Sequence, residues 1–231
     1  MMQPAEIQTQ MVARELIDPL IPPLKPTDSV GKALGWMSEF HLRQLPVVVG
    51  QAYCGIISED TLYGQHVSEA MLEAIPLQHT EHYVRHDAHF YEVMRLAEEH
   101  QMEVMPVLDE GKTFEGVISI KESVMTFVRL LTLQHPGGIL VLLMEHRDYT
   151  LTQISRLVEE NGAKVMSVYT EPDVTYPEMI RVTIKINTPE VGRIAATLER
   201  FNYRVVGRYE HESSQPWVQE RLDSFFKFLE L

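Results

Sequence analysis

The chain has 231 residues, 45% of them hydrophobic, which suits one large or two modest domains with a real core. Its formal net charge of −13, with histidine neutral, opposes nonspecific binding to nucleic acid or to an anionic membrane. Cys54 is the only cysteine, so no intrachain disulfide can form, and we expect a reducing, cytoplasmic compartment.

The N-terminal stretch, residues 1–10, is polar and carries Glu6. It has neither the basic start nor the apolar run of a signal peptide, so none is predicted. Apolar runs elsewhere are shorter than the roughly 20 residues that a membrane-spanning helix needs. We therefore expect no membrane partner.

Residues 12–17 are expected to begin the first copy of a repeated unit. Four prolines between positions 19 and 26 then hold the chain extended, because proline fixes one backbone dihedral and lacks an N–H. Thr27 or Asp28 can cap the helix that begins at Val30. The alternative role of Lys25, Thr27 and Asp28 is contact with a ligand phosphate or ribose, and both interpretations stay open.

A pair of short apolar segments occurs twice. LPVVV at 45–49 is followed by GIIS at 55–58, and MPVL at 105–108 is followed by GVIS at 116–119. The prolines, at 46 and 106, are 60 residues apart, and the first glycines, at 55 and 116, are 61 apart. Such runs predict two strands joined by a turn in each copy. A repeat of this length indicates that the two copies pack together.

An apolar stripe at helical spacing precedes each hairpin and is suited to cover a sheet. The stripes comprise Val30, Ala33, Leu34 and Met37 in the first copy, and Phe90, Val93, Met94 and Ala97 in the second. A further helix is predicted after each hairpin, from about Glu59 and from about Lys121. Each copy is therefore predicted as strand, helix, strand, strand, helix.

The two motifs, their order and their duplication resemble a tandem pair of CBS domains, the Bateman module, over residues 1–135. In this resemblance the first copy spans about residues 8–65 and the second about residues 66–135. Modules similar to this bind adenine nucleotides in clefts between the copies and regulate something else. The resemblance implies AMP, ADP, ATP or S-adenosylmethionine as the regulatory ligand, and no required cofactor.

Nucleotide-binding members of that family carry a glycine, two apolar residues, Ser or Thr, two further residues and Asp. Here the first copy supplies Ser58, Asp60 and Thr61, with the aspartate one position early. The second copy supplies Ser119 and Glu122, with a longer carboxylate in place. The resemblance implies that the hydroxyl meets phosphate and the carboxylate accepts from ribose. The alternative is that both serines cap the helices that follow.

Four histidines open the second copy, and imidazole can hold a transition metal. They are His79, His82, His86 and His89. Their spacing matches no zinc pattern, so a solvent-facing strand followed by a helix start is favoured, with metal binding as the alternative. His41, His66 and His100 are interpreted as scattered residues.

The segment HPGG at 135–138 predicts a domain boundary, because proline and glycine interrupt helices. Beyond it the pattern predicts a strand at 139–144, a helix from Leu151, strands at 164–170 and 180–186, a helix from Pro189 and a strand at 203–209. This order, βαββαβ, is that of a ferredoxin-like sandwich, so the whole chain is predicted as α+β.

The length and layout of residues 136–212 resemble an ACT domain. Amino-acid-binding ACT domains usually have a glycine between the first strand and the first helix, where this chain has Tyr149. Arg147 and Asp148 are the candidates for meeting a zwitterion, and a solvated loop is the favoured alternative. Pairing with a second copy is a further role for this domain.

The tail, residues 213–231, carries an apolar stripe of Val218, Leu222, Phe225 and Leu229. We predict a terminal amphipathic helix that docks on its own chain or on a sister subunit, because an exposed large side chain forgoes roughly 1.5–3 kcal/mol of burial.

The sequence contains no Gly-rich phosphate loop, GxSxG or HExxH motif, so no catalytic residue and no enzyme is predicted. Two CBS-like repeats followed by an ACT-like domain resemble the acetoin utilisation protein B group. The predicted function is ligand sensing by a homodimer that signals through the ACT-like domain or an unknown regulated protein. The alternatives are a ligand-free scaffold or adaptor dimer and a metal sensor that uses the His79–His89 cluster.

Overall fold

The computed structural model describes residues 11–63, 70–130 and 136–211 and has the predicted α+β class. The chain divides into two compact units, residues 1–127 and 128–231. His66, the N-terminal stretch and the predicted C-terminal helix lie outside the described residues. Among the described helices, none has the length and apolarity to cross a membrane.

Unit 1 contains the two predicted copies. The first consists of α1 (Val30–Phe40), β1 (Gln44–Val49), β2 (Ala52–Ser58) and the short α2 (Glu59–Tyr63). The second consists of β3 (Val84–Arg85), α3 (Phe90–Glu99), β4 (Val104–Leu108), β5 (Phe114–Ser119) and α4 (Ile120–Leu130). The predicted hairpins and the helices before and after them are therefore present in both copies.

The two hairpins match each other residue by residue. β1 and β2 pair antiparallel with Val47 opposite Gly55, and β4 and β5 pair with Val107 opposite Gly116. Each register is interrupted directly after that pair. A single extra residue in one strand produces such a β-bulge, so the repeat extends to an irregularity of the ladder.

The leading segment of each copy pairs with the other copy. The N–H groups of Ala13 and Asp18 donate to the carbonyls of Ala88 (2.8 Å) and Val117 (2.9 Å) in the second copy. Sixty residues on, Gln78 exchanges two bonds with Ile56 of the first copy, at 2.7 and 2.8 Å. The copies have thus exchanged the segments that precede them, and neither is complete alone.

Equivalent residues of the two copies touch at two places. The Arg43 Nε donates to the Glu103 carboxylate at 2.8 Å, and the rings of Tyr53 and Phe114 stack with centroids 6.5 Å apart. Equivalent positions meet only near a two-fold axis, so a local pseudo-two-fold axis passes through unit 1 between these contacts.

One apolar cluster fills unit 1 and draws on both copies, as the repeat predicts. Its largest fully buried members include Leu24, Met37, Leu45, Ile56, Ile57, Leu62, Leu72, Met105 and Ile118. The two strand-to-helix junctions lie where β2 ends at Ser58 and where β5 ends at Ser119.

Unit 2 has the predicted βαββαβ order. It contains β6 (Gly137–Glu145), α5 (Leu151–Glu160), β7 (Val165–Pro172), β8 (Met179–Ile186), α6 (Val191–Arg200) and β9 (Arg204–His211). The strands form one antiparallel sheet in the order β7-β8-β6-β9. Alternate residues of β6 and β8 enter the core with the apolar faces of α5 and α6, such as Leu142, Ile184, Ile154 and Ile194.

Candidate functional site

The first strand-to-helix junction is closed by two hydroxyls. Ser58 ends β2 and is 9% exposed, and its Oγ lies 2.8 Å from the Thr61 Oγ1. Thr61 also donates its N–H to Ser58 at 3.3 Å, and Gln78 donates its side-chain amide to Thr61 at 3.3 Å. Asp60 is exposed. Gln78 comes from the exchanged segment, so sequence reasoning missed it.

The second junction repeats this arrangement in part. Ser119 ends β5 and is 4% exposed, and its Oγ accepts the N–H of Glu122 at 3.4 Å. In both copies a buried serine therefore accepts a backbone N–H three residues later, which is the geometry of a helix cap. A polar group of this kind is also suited to meet a ligand at a strand-to-helix turn.

The turn before α1 corrects the capping prediction. Ser29, not Thr27 or Asp28, is the N-cap of α1, and its Oγ accepts the Lys32 N–H at 3.2 Å. Asp28 instead binds both neighbouring lysines, accepting the Lys25 N–H at 2.8 Å and the Lys32 Nζ at 2.7 Å. Three polar residues precede the helix, and the backbone conformation selects the last of them.

The carboxyl of Asp28 has a pKa below its ordinary value. Burial raises this pKa, but the hydrogen bonds from Lys32 and from the Lys25 N–H, together with the two lysine charges, outweigh burial. The ionised carboxylate therefore stabilises the fold at neutral pH.

Asp28→Asn is expected to lower the free energy of unfolding by about 1 kcal/mol at pH 7, the usual size of one charged hydrogen bond at a partly exposed site. Because the folded pKa is lowered, the difference from wild type is complete above the unfolded value of about 3.9 and is lost as the pH falls below it. Urea unfolding between pH 7 and pH 3 measures this difference. The exposed Asp60→Asn is the matched control, and an Asp28→Asn effect that persisted unchanged at pH 3 would contradict the prediction.

The equivalent turn of the second copy differs in chemistry. Sixty residues after Lys25, Thr27 and Asp28 stand Arg85, Asp87 and Ala88. Arg85 binds Asp87 through two parallel bonds, Nε to Oδ1 at 2.9 Å and Nη2 to Oδ2 at 2.7 Å. The bond from Arg85 is the largest cause that lowers the pKa of Asp87.

A cavity of about 460 Å³ opens at this turn. Its lining comes wholly from one stretch of the second copy: Tyr83, Val84, Arg85, Asp87, Ala88, His89 and Glu92. Neither Ser119 nor Glu122 is among the lining residues. The structure thus brings a guanidinium and two carboxylates together at a place that sequence reasoning did not select, although the 60-residue offset from Lys25 pointed to it.

The four predicted histidines do not form one cluster. The Nδ1 atoms of His79 and His82 lie 3.2 Å apart, while His86 faces Glu115 at 3.2 Å and His89 caps α3. In the described ranges, no group of three or more His, Cys, Asp or Glu side chains is arranged to hold a metal ion.

His100 was interpreted from the sequence as a scattered residue, but it lies beside two other histidines. Its ring stacks on that of His82 with centroids 3.8 Å apart, and it lies 6.5 Å from His79. Burial, followed by the charges of His82 and His100, lowers the pKa of His79. Protonation of His79 is therefore disfavoured beside the other two rings, and sequence spacing could not reveal this grouping because α3 separates His82 from His100.

The β6–α5 loop of unit 2 has the contacts of a solvated loop. Arg147 and Asp148 are exposed, and the Arg147 Nε pairs with Glu145 at 2.8 Å. Tyr149, at the position where amino-acid-binding ACT domains usually have glycine, packs against the core.

Comparison with known proteins gives similarities to solved structures that cover about half of this chain. No protein-family model matches the chain. It is similar to a CBS domain pair/ACT domain protein from Thermotoga maritima, with 17% identity and a TM-score of 0.46, over 52% of this chain and 99% of that one. It is similar to a Vibrio cholerae protein named for acetoin utilization, with 21% identity and a TM-score of 0.47, over 54% of this chain and 96% of that one.

A third similar structure is CBSX2, a CBS-pair protein of Arabidopsis thaliana, in complex with AMP. Its identity is 18% and its TM-score 0.44, over 52% of this chain and 97% of that one.

Proposed function

We propose that this chain is a regulatory module whose two-copy unit binds an adenine nucleotide in the second copy, at the cavity beside Arg85. The observation that carries the proposal is that cavity, which brings the Arg85 guanidinium together with the Asp87 and Glu92 carboxylates within a space of about 460 Å³. Sites for small ligands typically occupy about 300–1,000 Å³.

Arg85 retains donors for a phosphate. The Asp87 carboxylate accepts from the Arg85 Nε and from one N–H of its Nη2, and a guanidinium has five N–H donors in a planar fork. The remaining donors can bind phosphate oxygens, which arginine recognises well. The Asp87 carboxylate can accept from ribose hydroxyls with lone pairs that Arg85 leaves free.

The first copy offers a different environment at the same position. There Asp28 is held by the Lys32 ammonium at 2.7 Å, whereas the second copy has Ala88 and Glu92. Asp28 engages the Lys32 ammonium, whereas the guanidinium of Arg85 keeps N–H donors that Asp87 does not use. This asymmetry favours the second copy. We therefore propose Arg85 and Asp87, rather than Ser58, Asp60 and Thr61, as the primary ligand contacts.

The proposed mechanism is linkage between ligand and conformation. Because the exchanged segments join the copies, a nucleotide that prefers one arrangement of the repeats shifts the whole of unit 1 toward it. A homodimer and a regulated partner protein are part of this proposal. Sedimentation equilibrium tests the dimer, and a monomer across micromolar concentrations would exclude it.

Arg85→Gln is expected to weaken nucleotide binding at least tenfold, because one charge-assisted hydrogen bond is worth about 1.5–3 kcal/mol. The measurement is the rise in Tm on adding AMP, ADP or ATP, which for wild type at about 100 times Kd corresponds to about 2.7 kcal/mol of stabilisation. Arg156→Gln removes the same charge from an exposed i,i+4 pair with Glu160 in unit 2 and serves as the matched control. Equal protection of Arg85→Gln and wild type would place the ligand elsewhere.

A further inference from the structure

The sheet of unit 2 has one face covered by helices and one face that they leave open. Side chains alternate between faces along each strand, and the core contains Leu140, Leu142, Val182 and Ile184 together with α5 and α6. The intervening residues of β6 and β8 therefore point to the opposite face. Between residues 136 and 211, α5 and α6 are the helices longer than one turn.

An apolar strip runs along the middle of the open face. It consists of Ile139, Val141 and Leu143, none of which belongs to the helix-side core; Ile139 and Val141 are partly exposed, and Leu143 is 7% exposed. Tyr209 of β9 pairs with Ile139. Tyr169 of β7 pairs with Thr183 of β8, which in turn pairs with Val141. The two tyrosines are 61% and 58% exposed, so large aromatic surface borders the strip on both sides.

Positive charge borders the same strip. Arg181, Lys185 and Arg204 are registered beside Leu143 or Ile139, and Glu171 lies opposite Arg181. The Arg181 Nε already donates to the Asp173 carboxylate at 2.7 Å, so Lys185 and Arg204 supply the positive charge of this border. Lys185 is 5% exposed, and its burial lowers the pKa of its ammonium. A buried ammonium of this kind is stabilised by a nearby carboxylate.

We propose that this open sheet face is the docking surface for residues 217–231 of the same chain. The stripe of Val218, Leu222, Phe225 and Leu229 would pack against Ile139, Val141 and Leu143. At helical spacing Asp223 and Glu230 lie nearer to the stripe than Glu220 does, and these two carboxylates would meet Lys185 and Arg204.

The chain length permits this arrangement. β9 ends at His211 on an edge of the sheet beside β6, and residues 212–216 then connect to the segment. Five residues extend up to about 17 Å, and β6, which carries the strip, lies one strand spacing, roughly 5 Å, from β9. If helical, the 15 residues of the segment (217 to 231) would span about 22 Å, comparable with an eight-residue strand at about 26 Å.

The test places a fluorescent reporter in the stripe of the full-length chain. Trp36 and Trp217 are changed to phenylalanine, and Phe225→Trp then supplies the single tryptophan. We expect its emission maximum to lie at shorter wavelength than in urea-unfolded protein. Lys227→Trp, on the opposite side of a helical segment, is the matched reporter and is expected to emit as in water.

Variants of the sheet face complete the test. Val141→Glu and, because a central strand can fail to fold, the exposed Tyr209→Glu are expected to shift the Phe225→Trp emission to longer wavelength. Thr152→Glu, exposed on the helix side, is expected to leave it unchanged. The proposal would be overturned if the Phe225→Trp emission maximum equalled that of a water-exposed tryptophan. It would also be overturned if neither face variant changed that maximum. An emission maximum that changes with protein concentration would also overturn it, because the segment would then come from another copy. A face variant that yields monomers without moving the emission maximum would overturn it as well, because the face would then pair with the sheet of another copy.

Discussion

The Ala13→Glu variant is expected to lose about 3 kcal/mol or more of unfolding free energy, and the second copy of unit 1 is expected to lose protection from hydrogen exchange. Ala13 is 0% exposed, and its N–H donates to Ala88 at 2.8 Å. A glutamate there would bury an unpaired carboxylate and has no space for its side chain. Urea unfolding measures the loss, and hydrogen exchange locates it at residues 86–90 and 117.

Arg14→Glu is the matched control for this variant. Arg14 follows Ala13 in the same turn but is exposed, so its replacement is expected to change stability by about 0.5 kcal/mol or less. If Ala13→Glu affected the first copy and spared residues 86–90, the exchanged arrangement of the leading segments would be contradicted.

The Gly55→Ala variant is expected to destabilise unit 1 by about 3 kcal/mol. A Cβ at this position would lie 2.8 Å from the Gln78 carbonyl oxygen and 2.9 Å from the Leu77 Cβ, and Gly55 has a φ of +146°. Strain of this kind costs roughly 1–3 kcal/mol, and displacing the paired backbone of the exchanged segment adds to it. Thermal or urea unfolding measures the change.

Gly35→Ala provides the opposite result within the same copy. Gly35 lies inside α1, is exposed, and has open space where a Cβ would be. Alanine is therefore expected to stabilise the chain by about 0.5–1 kcal/mol. If both alanine variants behaved alike, close packing of β2 against the exchanged segment would be disproved.

The elements of this fold were predictable because their signals are local. Apolar runs ended by glycine or proline predict the hairpins, and the alternation from Ile180 to Ile186 predicts β8 with one face in the core. The 60-residue offset also predicts that the two copies share one core.

The exchange of leading segments was not predictable from those patterns. Residues 12–17 precede the first copy in the chain, yet backbone groups of Ala13 and Asp18 bind the second. Backbone hydrogen bonds do not require a particular residue type, so this pairing has no local signal in the sequence. Gln78 at the Thr61 hydroxyl and His100 beside His82 were missed for a different reason, because tertiary packing alone brings these side chains together across 17 and 18 residues of chain.

The candidate site was found only in part. The serines at the strand ends follow from the motif, but the cavity lies beside Arg85 and Asp87. Their signal was available in the repeat, since Arg85 stands 60 residues after Lys25 and Asp87 60 after Thr27. Comparing the copies position by position would have selected them, whereas a search for the family motif does not.

The measurement that tests the central claim most directly is calorimetric titration of the full-length protein, freed of carried-over ligand, with AMP, ADP, ATP and S-adenosylmethionine. The account predicts saturable binding of at least one adenine nucleotide. It also predicts that this binding is weakened by Arg85→Gln and kept by Arg156→Gln. Absence of binding heat with all four ligands at two temperatures, from protein shown to be folded, would contradict the account and favour a ligand-free adaptor.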